Sequence, residues 1–155
     1  MMLSGKTAFV ILSAFSAFMI LGAWGFEFIG AMPPCKLCYY QRYPHWLAAG
    51  SGILAVATGT VALAYIAALG TALSGLVGLY HSGVERRWWE GPTTCTSGDV
   101  TSMNAEDLFN QIMTAPMVRC DEIPWDMFGL SMANYNALFS LGAAALWIVA
   151  ARKLS

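Results

Sequence analysis

Charge is what this chain has least of. Only 11% of its 155 residues are Asp, Glu, Lys or Arg, against about 25% in ordinary soluble domains. A freely soluble globular enzyme needs a more charged surface, so that class is excluded. The two signs are nearly balanced, with eight Lys and Arg against nine Asp and Glu, a net charge of −1. No basic excess is available to neutralise phosphates, and no nucleic-acid partner is expected. Internal repeats, low-complexity tracts and a second soluble domain are also missing.

The shortage is concentrated in long runs. No Asp, Glu, Lys or Arg falls between Thr7 and Phe26, between Tyr43 and Ser82, or between Met127 and Ala151. Uncharged apolar runs of about 18 residues or more read as membrane spans. The first run is one span. The middle run covers 40 residues, which as one helix would extend about 60 Å. A hydrocarbon core is about 30 Å thick, so the run must fold back into two spans. The turn is expected at Thr58-Gly59-Thr60. The last run is one tilted span. The expectation is an all-α, single-domain, four-helix membrane bundle over residues 1–155, with spans near 7–26, 39–57, 61–82 and 127–151. Residues 27–42 and 83–126 would be the outer loops.

Met1–Lys6 has the basic character of a signal-peptide start. The apolar run behind it is too long for a signal h-region, so a retained first span is expected. Pro33-Pro34 stiffens the entry to Cys35. Pro44 suits only a first helical turn, which keeps the start of the second span close to it. Gly70, Gly75 and Gly78 would let the third span pack closely. The second outer loop is long enough to suggest a function. Within it, Asn104–Met113 reads as a short amphipathic helix. Asn104 is its N-cap, Glu106 and Asp107 suit its N-terminus, Leu108, Ile112 and Met113 share a face, and Pro116 ends it. Such a helix would lie on the membrane surface or on the bundle. Trp88, Trp89 and Trp125 suit an interfacial belt.

Four cysteines are present, all in the outer loops: Cys35, Cys38, Cys95 and Cys120. An even number on one side points to an oxidising compartment. Basic residues do not fix the orientation. Lys6, Arg152 and Lys153 lie on the terminal side, while Lys36, Arg42, Arg86, Arg87 and Arg119 lie on the cysteine side. The cysteines argue that their own side is outside.

The chemistry centres on Pro34-Cys35-Lys36-Leu37-Cys38-Tyr39-Tyr40-Gln41-Arg42. Two thiols three positions apart can form a small, reversible disulfide, and a nearby guanidinium favours the attacking thiolate. Arg42, four residues beyond Cys38, is costly near a bilayer unless it has work to do. It could stabilise a Cys38 thiolate and donate to an acceptor's carbonyl oxygen, or it could snorkel to headgroups. His81 and Glu85, where the third span leaves the membrane, could relay protons. Two alternatives stay open. The four cysteines could form a zinc cluster, although Cys95 and Cys120 are not a tight pair. They could also be structural bridges in a non-enzymatic four-span protein, although a CxxC bridge braces little.

Together these features resemble the bacterial disulfide bond formation protein B (DsbB) family. The likeness rests on the four spans and Pro-Cys-x-x-Cys-x-Tyr-x-Arg before the second. It also rests on Gly91-Pro92-Thr93-Thr94-Cys95 and Arg119-Cys120-Asp121-Glu122-Ile123-Pro124-Trp125 in the long loop. The resemblance implies an inner-membrane thiol oxidoreductase with cytoplasmic termini and periplasmic cysteine loops. It would reoxidise a DsbA-like thioredoxin-fold dithiol oxidase and pass electrons to ubiquinone or menaquinone. By resemblance, Cys95 exchanges with the partner and Cys120 then attacks Cys35. Cys38 is the thiolate facing the quinone, and Arg42 binds the quinone. No metal is implied. The loop disulfide should be accessible, because exchange needs in-line attack. A paralogue serving a dedicated partner would share every one of these motifs.

Overall fold

The computed structural model describes residues 5–96, 104–114 and 118–154, and they are mostly helical. Helix α1, Gly5–Trp24, runs into a five-residue π-turn, Gly25–Ile29. Helices α2 (Lys36–Thr58) and α3 (Val61–Glu85) follow. Helix α4 is Ala105–Thr114 and helix α5 is Met132–Arg152. Between the last two lies a small antiparallel hairpin of β1 (Asp126–Met127) and β2 (Leu130–Ser131), with Asp126 opposite Ser131.

Among the described residues, three helices are long and apolar enough to cross a membrane: Gly5–Ile29, Val61–Glu85 and Met132–Arg152. Helix α2 is as long, but its first half carries Lys36, Gln41, Arg42, Pro44 and His45. The large apolar side chains point outward, among them Phe18, Ile53, Leu69 and Leu138. The interior is built instead from small residues, including Ala48, Ala55, Ala64, Ala67 and Ala143, closed at one end by Phe9 against Trp147. This is the arrangement lipid demands. Apolar side chains gain nothing by leaving lipid tails, so helices associate through close backbone approach.

Helix α3 packs along both α2 and α5, and α1 lies against α2 and, less extensively, α5. Gly70 shows how close the approach is, since a Cβ there would sit 2.7 Å from the Pro44 carbonyl oxygen. The reversal between α2 and α3 falls at Gly59, as expected. Gly59 closes α2 in the left-handed region, at φ 72°, and its N–H donates to the Ala55 carbonyl.

Two expectations about helix starts need correction. Helix α2 begins at Lys36, with Cys35 as its N-cap, so Pro44 lies inside the helix and not in its first turn. A proline there leaves the Tyr40 carbonyl without its helical donor. The surrounding packing supports the irregular stretch: Ser74 Oγ from α3 donates to the adjacent Gln41 carbonyl at 2.8 Å. Helix α5 begins at Met132, not near Met127. Residues 126–131 are taken up by the hairpin, whose turn residues Phe128 and Gly129 both have positive φ. Ser131 then caps α5 by accepting from the Asn134 N–H.

Helix α4 matches the expected amphipathic segment. Asn104 Oδ1 accepts from the Asp107 N–H at 2.9 Å, and Asn104 Nδ2 donates to the Asp107 carboxylate at 2.8 Å. Phe109 and Met113 are exposed. The side chains of Leu108 and Ile112, Pro116 and the first four residues of the basic start lie outside the described set.

The tight α2–α3 crossing generates a prediction. Gly70→Leu must displace backbone and should lower stability by about 1–3 kcal/mol. Gly22, whose Cβ position meets nothing within 4 Å, should accept Ala without loss. Thermal denaturation of both variants in detergent checks the contrast.

Candidate active site

The N-terminus of α2 holds the first cysteine pair. Cys35 is extended, at φ −75° and ψ 171°, the geometry usual for a helix N-cap. Its sulfur accepts from the Cys38 N–H at 3.2 Å. The two sulfurs are 2.6 Å apart. Cys35 is buried and Cys38 half-buried. The hydrogen bond shared with Cys38, and then burial, push the Cys35 thiol well above the usual range. The last proton of the reduced pair therefore stays on Cys35.

Cys95 and Cys120 form a disulfide with a Cα–Cα distance of 5.3 Å. The Cys120 N–H also donates to the Cys95 carbonyl at 2.7 Å. Their union leaves no four-thiolate set for zinc. Beside the bridge, Arg119 grips Asp121 through two hydrogen bonds of 3.0 and 2.6 Å. That grip holds the Asp121 carboxyl below its usual range.

The expected accessibility of this disulfide is not found. Cys95 and Cys120 are both 0% exposed, packed in one cluster with Cys35, Leu37 and Val84. The physical reason is apolar contact: the bridge covers the end of α3 and the N-terminus of α2. The same contact brings the two cysteine pairs together, which their separation in sequence could not reveal.

Arg42 lies one helical turn beyond Cys38 on the same face, because α2 is already formed at Lys36. It does not snorkel freely. Its Nη1 is ion-paired with Glu27, and its Nη2 donates to the Ala23 carbonyl at 3.2 Å. Its guanidinium carbon lies 5.5 Å from the centre of the Tyr39 ring. Glu27 is a partner that the sequence did not single out. The five guanidinium N–H groups leave donors beyond these two bonds for a carbonyl oxygen. Half-buried Cys38 and exposed Tyr39 and Tyr43 lie nearby on the same helix. A thiol, a guanidinium and aromatic rings beside lipid fit the edge and face of a quinone ring.

His81 lies beneath both cysteine pairs. Its Nε2 is 3.6 Å from Cys35 Sγ and 3.2 Å from the Cys120 carbonyl oxygen, and its Nδ1 is 2.9 Å from Gln41 Nε2. Gln41 is held in turn by Asn136 of α5, whose Nδ2 donates to Gln41 Oε1 at 2.8 Å. Gln41 and Asn136 were not singled out from the sequence, although a signal was there. Amides inside largely apolar helices are expensive unless paired. Glu85, the other proton-relay candidate, accepts from Ser131 Oγ and so ties α3 to the cap of α5. Its Oε1 is 3.9 Å from His81 Nε2.

Comparison with known proteins gives the family of the chain. The family described as Disulfide bond formation protein DsbB matches residues 5–150. The Disulfide bond formation protein B of a Polaromonas species is 27% identical over 141 residues, covering 83% of this chain and 80% of that one. The uncharacterised protein RP370 of Rickettsia prowazekii is 25% identical over 140 residues, covering 88% of this chain and 81% of that one. No solved structure matches. With nearly its whole length matched, the chain belongs to the DsbB family of disulfide bond formation proteins.

Proposed function

We propose that this chain is a quinone-reducing thiol oxidoreductase of the bacterial inner membrane, which reoxidises a DsbA-like dithiol oxidase. The observation that carries the reading is the shared cluster of Cys35, Cys95 and Cys120. Two redox-capable pairs that touch can exchange electrons by thiol–disulfide exchange, and two structural bridges have no need to touch. In this reading α2 is a fourth span. In its polar first half, Gln41 and His45 are buried against His81 of α3 and Asn136 of α5. The termini are cytoplasmic and the cysteine loops periplasmic.

A partner thiolate attacks Cys95, forming a mixed disulfide and releasing Cys120 as a thiolate. The partner's second thiolate then attacks its own half of that bond, leaves oxidised and frees Cys95. Cys120 attacks Cys35 of the Cys35–Cys38 disulfide, and Cys38 leaves as a thiolate. Cys95 attacks Cys120, restoring Cys95–Cys120 and releasing Cys35. Two electrons now reside on the first pair. Bound beside Cys38, a quinone would supply the two-electron, two-proton acceptor as Cys35–Cys38 re-forms, and Arg42 would hold its carbonyl oxygen. Cys35 takes up a proton after its release as a thiolate, and that proton is one of the two delivered. Because the bridge is buried, the segment carrying Cys95 must lift before the partner can attack in line.

An anaerobic turnover assay tests the whole reading. Detergent-purified chain, a reduced DsbA-like protein and ubiquinone or menaquinone are mixed, and quinone absorbance is followed. Catalytic loss requiring all four cysteines is expected. No loss with either quinone would return the bridges to a structural role.

Three narrower outcomes follow. Cys38→Ser should abolish quinone reduction in the same assay. Arg42→Met should raise the apparent KM for quinone about ten-fold or more, as expected for loss of a charge-assisted hydrogen bond, with exchange at Cys95 unchanged. In the reduced chain at neutral pH, iodoacetamide should label Cys38 before Cys35. The Cys35 thiol is raised and therefore protonated there. Peptide mass spectrometry reads the order.

A further inference from the structure

The contacts around His81 determine which of its nitrogens carries the proton. A backbone carbonyl can only accept. Asn136 Nδ2 lies 3.1 Å from the Ser74 carbonyl oxygen, so that end of the amide is the nitrogen. Gln41 Nε2 lies 3.3 Å from the Leu37 carbonyl oxygen. Gln41 Oε1 receives the Asn136 amide. Both amides are thereby locked in orientation. Gln41 presents an N–H to His81 Nδ1, and Nδ1 must accept it. The neutral ring therefore carries its hydrogen on Nε2.

The other side of the ring gives the same answer independently. Nε2 faces the Cys120 carbonyl oxygen, Cys35 Sγ and, at 3.9 Å, Glu85 Oε1. All three accept hydrogen bonds, and the carbonyl can do nothing else. Both ends of the ring thus demand one tautomer. The same tautomer argues against a metal ion among Cys35, Cys38 and His81, although their ligand atoms lie within 4.8 Å of one another. Nε2 would have to lose its hydrogen to bind the ion, and moving that hydrogen to Nδ1 would point it at the Gln41 N–H.

We propose that His81 is a catalytic hydrogen-bond donor to the Cys35 thiolate, fixed in the Nε2–H tautomer by Gln41 and Asn136 as positioning residues. The proposal rests on the electron path above and adds to it the group that assists one step. When Cys95 attacks Cys120 of the Cys35–Cys120 bond, the new S–S bond forms and Cys35 leaves with the electron pair. Cys35 is 4% exposed, so water cannot solvate its charge. The Nε2–H at 3.6 Å from Cys35 Sγ is the donor in place to do so. The ring keeps its proton, and the step needs no other reactant. Because Nε2 also touches the Cys120 carbonyl, the donor is held at the junction where the two pairs exchange.

The test uses full-length chain in detergent with both pairs oxidised, mixed with a reduced DsbA-like protein in the absence of quinone. Acid quenching, alkylation and peptide mass spectrometry follow the mixed disulfide, the Cys35–Cys120 crosslink and the reduced first pair. His81→Phe should slow reduction of the first pair by about ten- to hundred-fold, the range for losing a hydrogen bond to a charged group. It should accumulate the Cys35–Cys120 crosslink and leave attack at Cys95 unchanged. His81→Gln, which places an N–H near the lost Nε2, should recover most of the rate. In 15N-histidine spectra of the parent chain, His81 should be the Nε2–H tautomer, and Gln41→Leu should release that preference.

Wild-type kinetics in His81→Phe, or a parent ring in the Nδ1–H form, would overturn the proposal. So would His81→Gln as slow as His81→Phe with an unchanged melting temperature. Should His81→Phe fail to fold, His81→Gln and the parent spectrum still decide. A wild-type chain that takes no electrons from the dithiol protein would overturn the electron path itself, and this proposal with it.

Discussion

The Asn136 amide is the contact on which the core geometry depends. It lies 8% exposed among α2, α3 and α5, and it is used at both ends. Its nitrogen donates to Gln41 and to the Ser74 backbone, and its oxygen accepts from Ser140 at 3.0 Å and faces His45 Nε2 at 3.2 Å. In an apolar interior each unpaired amide atom would cost on the order of a few kcal/mol. Three helices are therefore held in one register, because sliding any of them would orphan several groups together. The small residues around this knot allow close approach but specify little. The polar contacts select one arrangement.

From that knot the order extends outward to the chemistry. Gln41 is both the acceptor for Asn136 and the donor to His81, and it lies on the same helix as Cys38 and Arg42. Placing α2 against α5 therefore also places the thiol and the guanidinium. At the outer end, Glu85 binds the capping Ser131 of α5, and Arg86 donates to the Gly129 carbonyl at 3.2 Å. These contacts fix the hairpin over the end of α3. The loop disulfide then closes over Cys35. In the proposed electron path, transfer between the pairs needs that contact, while exchange with a soluble partner needs it broken. A cluster held by apolar packing, without a covalent link between the pairs, can satisfy both demands in turn.

Much of this was legible in the residues. Charge gaps located α1, α3 and α5, the glycine at 59 located the turn between α2 and α3, and Asn104 located the start of α4. Each is a local signal, because a membrane penalises every stray charge and a cap acts within one turn. The two misplaced helix starts have equally local causes that were harder to weigh. Cys35 serves as an N-cap, a role its side chain does not advertise, and a proline persists within α2 because neighbouring packing supports the backbone. Residues 127–131 look like the start of an apolar run, yet Phe128-Gly129 turns them into a hairpin with Asp126.

By itself the sequence determined the membrane character, the helix content, the redox-capable pair ahead of α2 and the likeness to the DsbB family, since these depend on composition and short spacings. Only the tertiary structure decided that Cys95–Cys120 is buried against Cys35, that Glu27 holds Arg42, and that His81 contacts both pairs. Those facts join residues from different helices across dozens of positions in the chain. They follow from the mutual satisfaction of polar groups in an interior without water, a condition set by the whole fold and not by any one stretch of it.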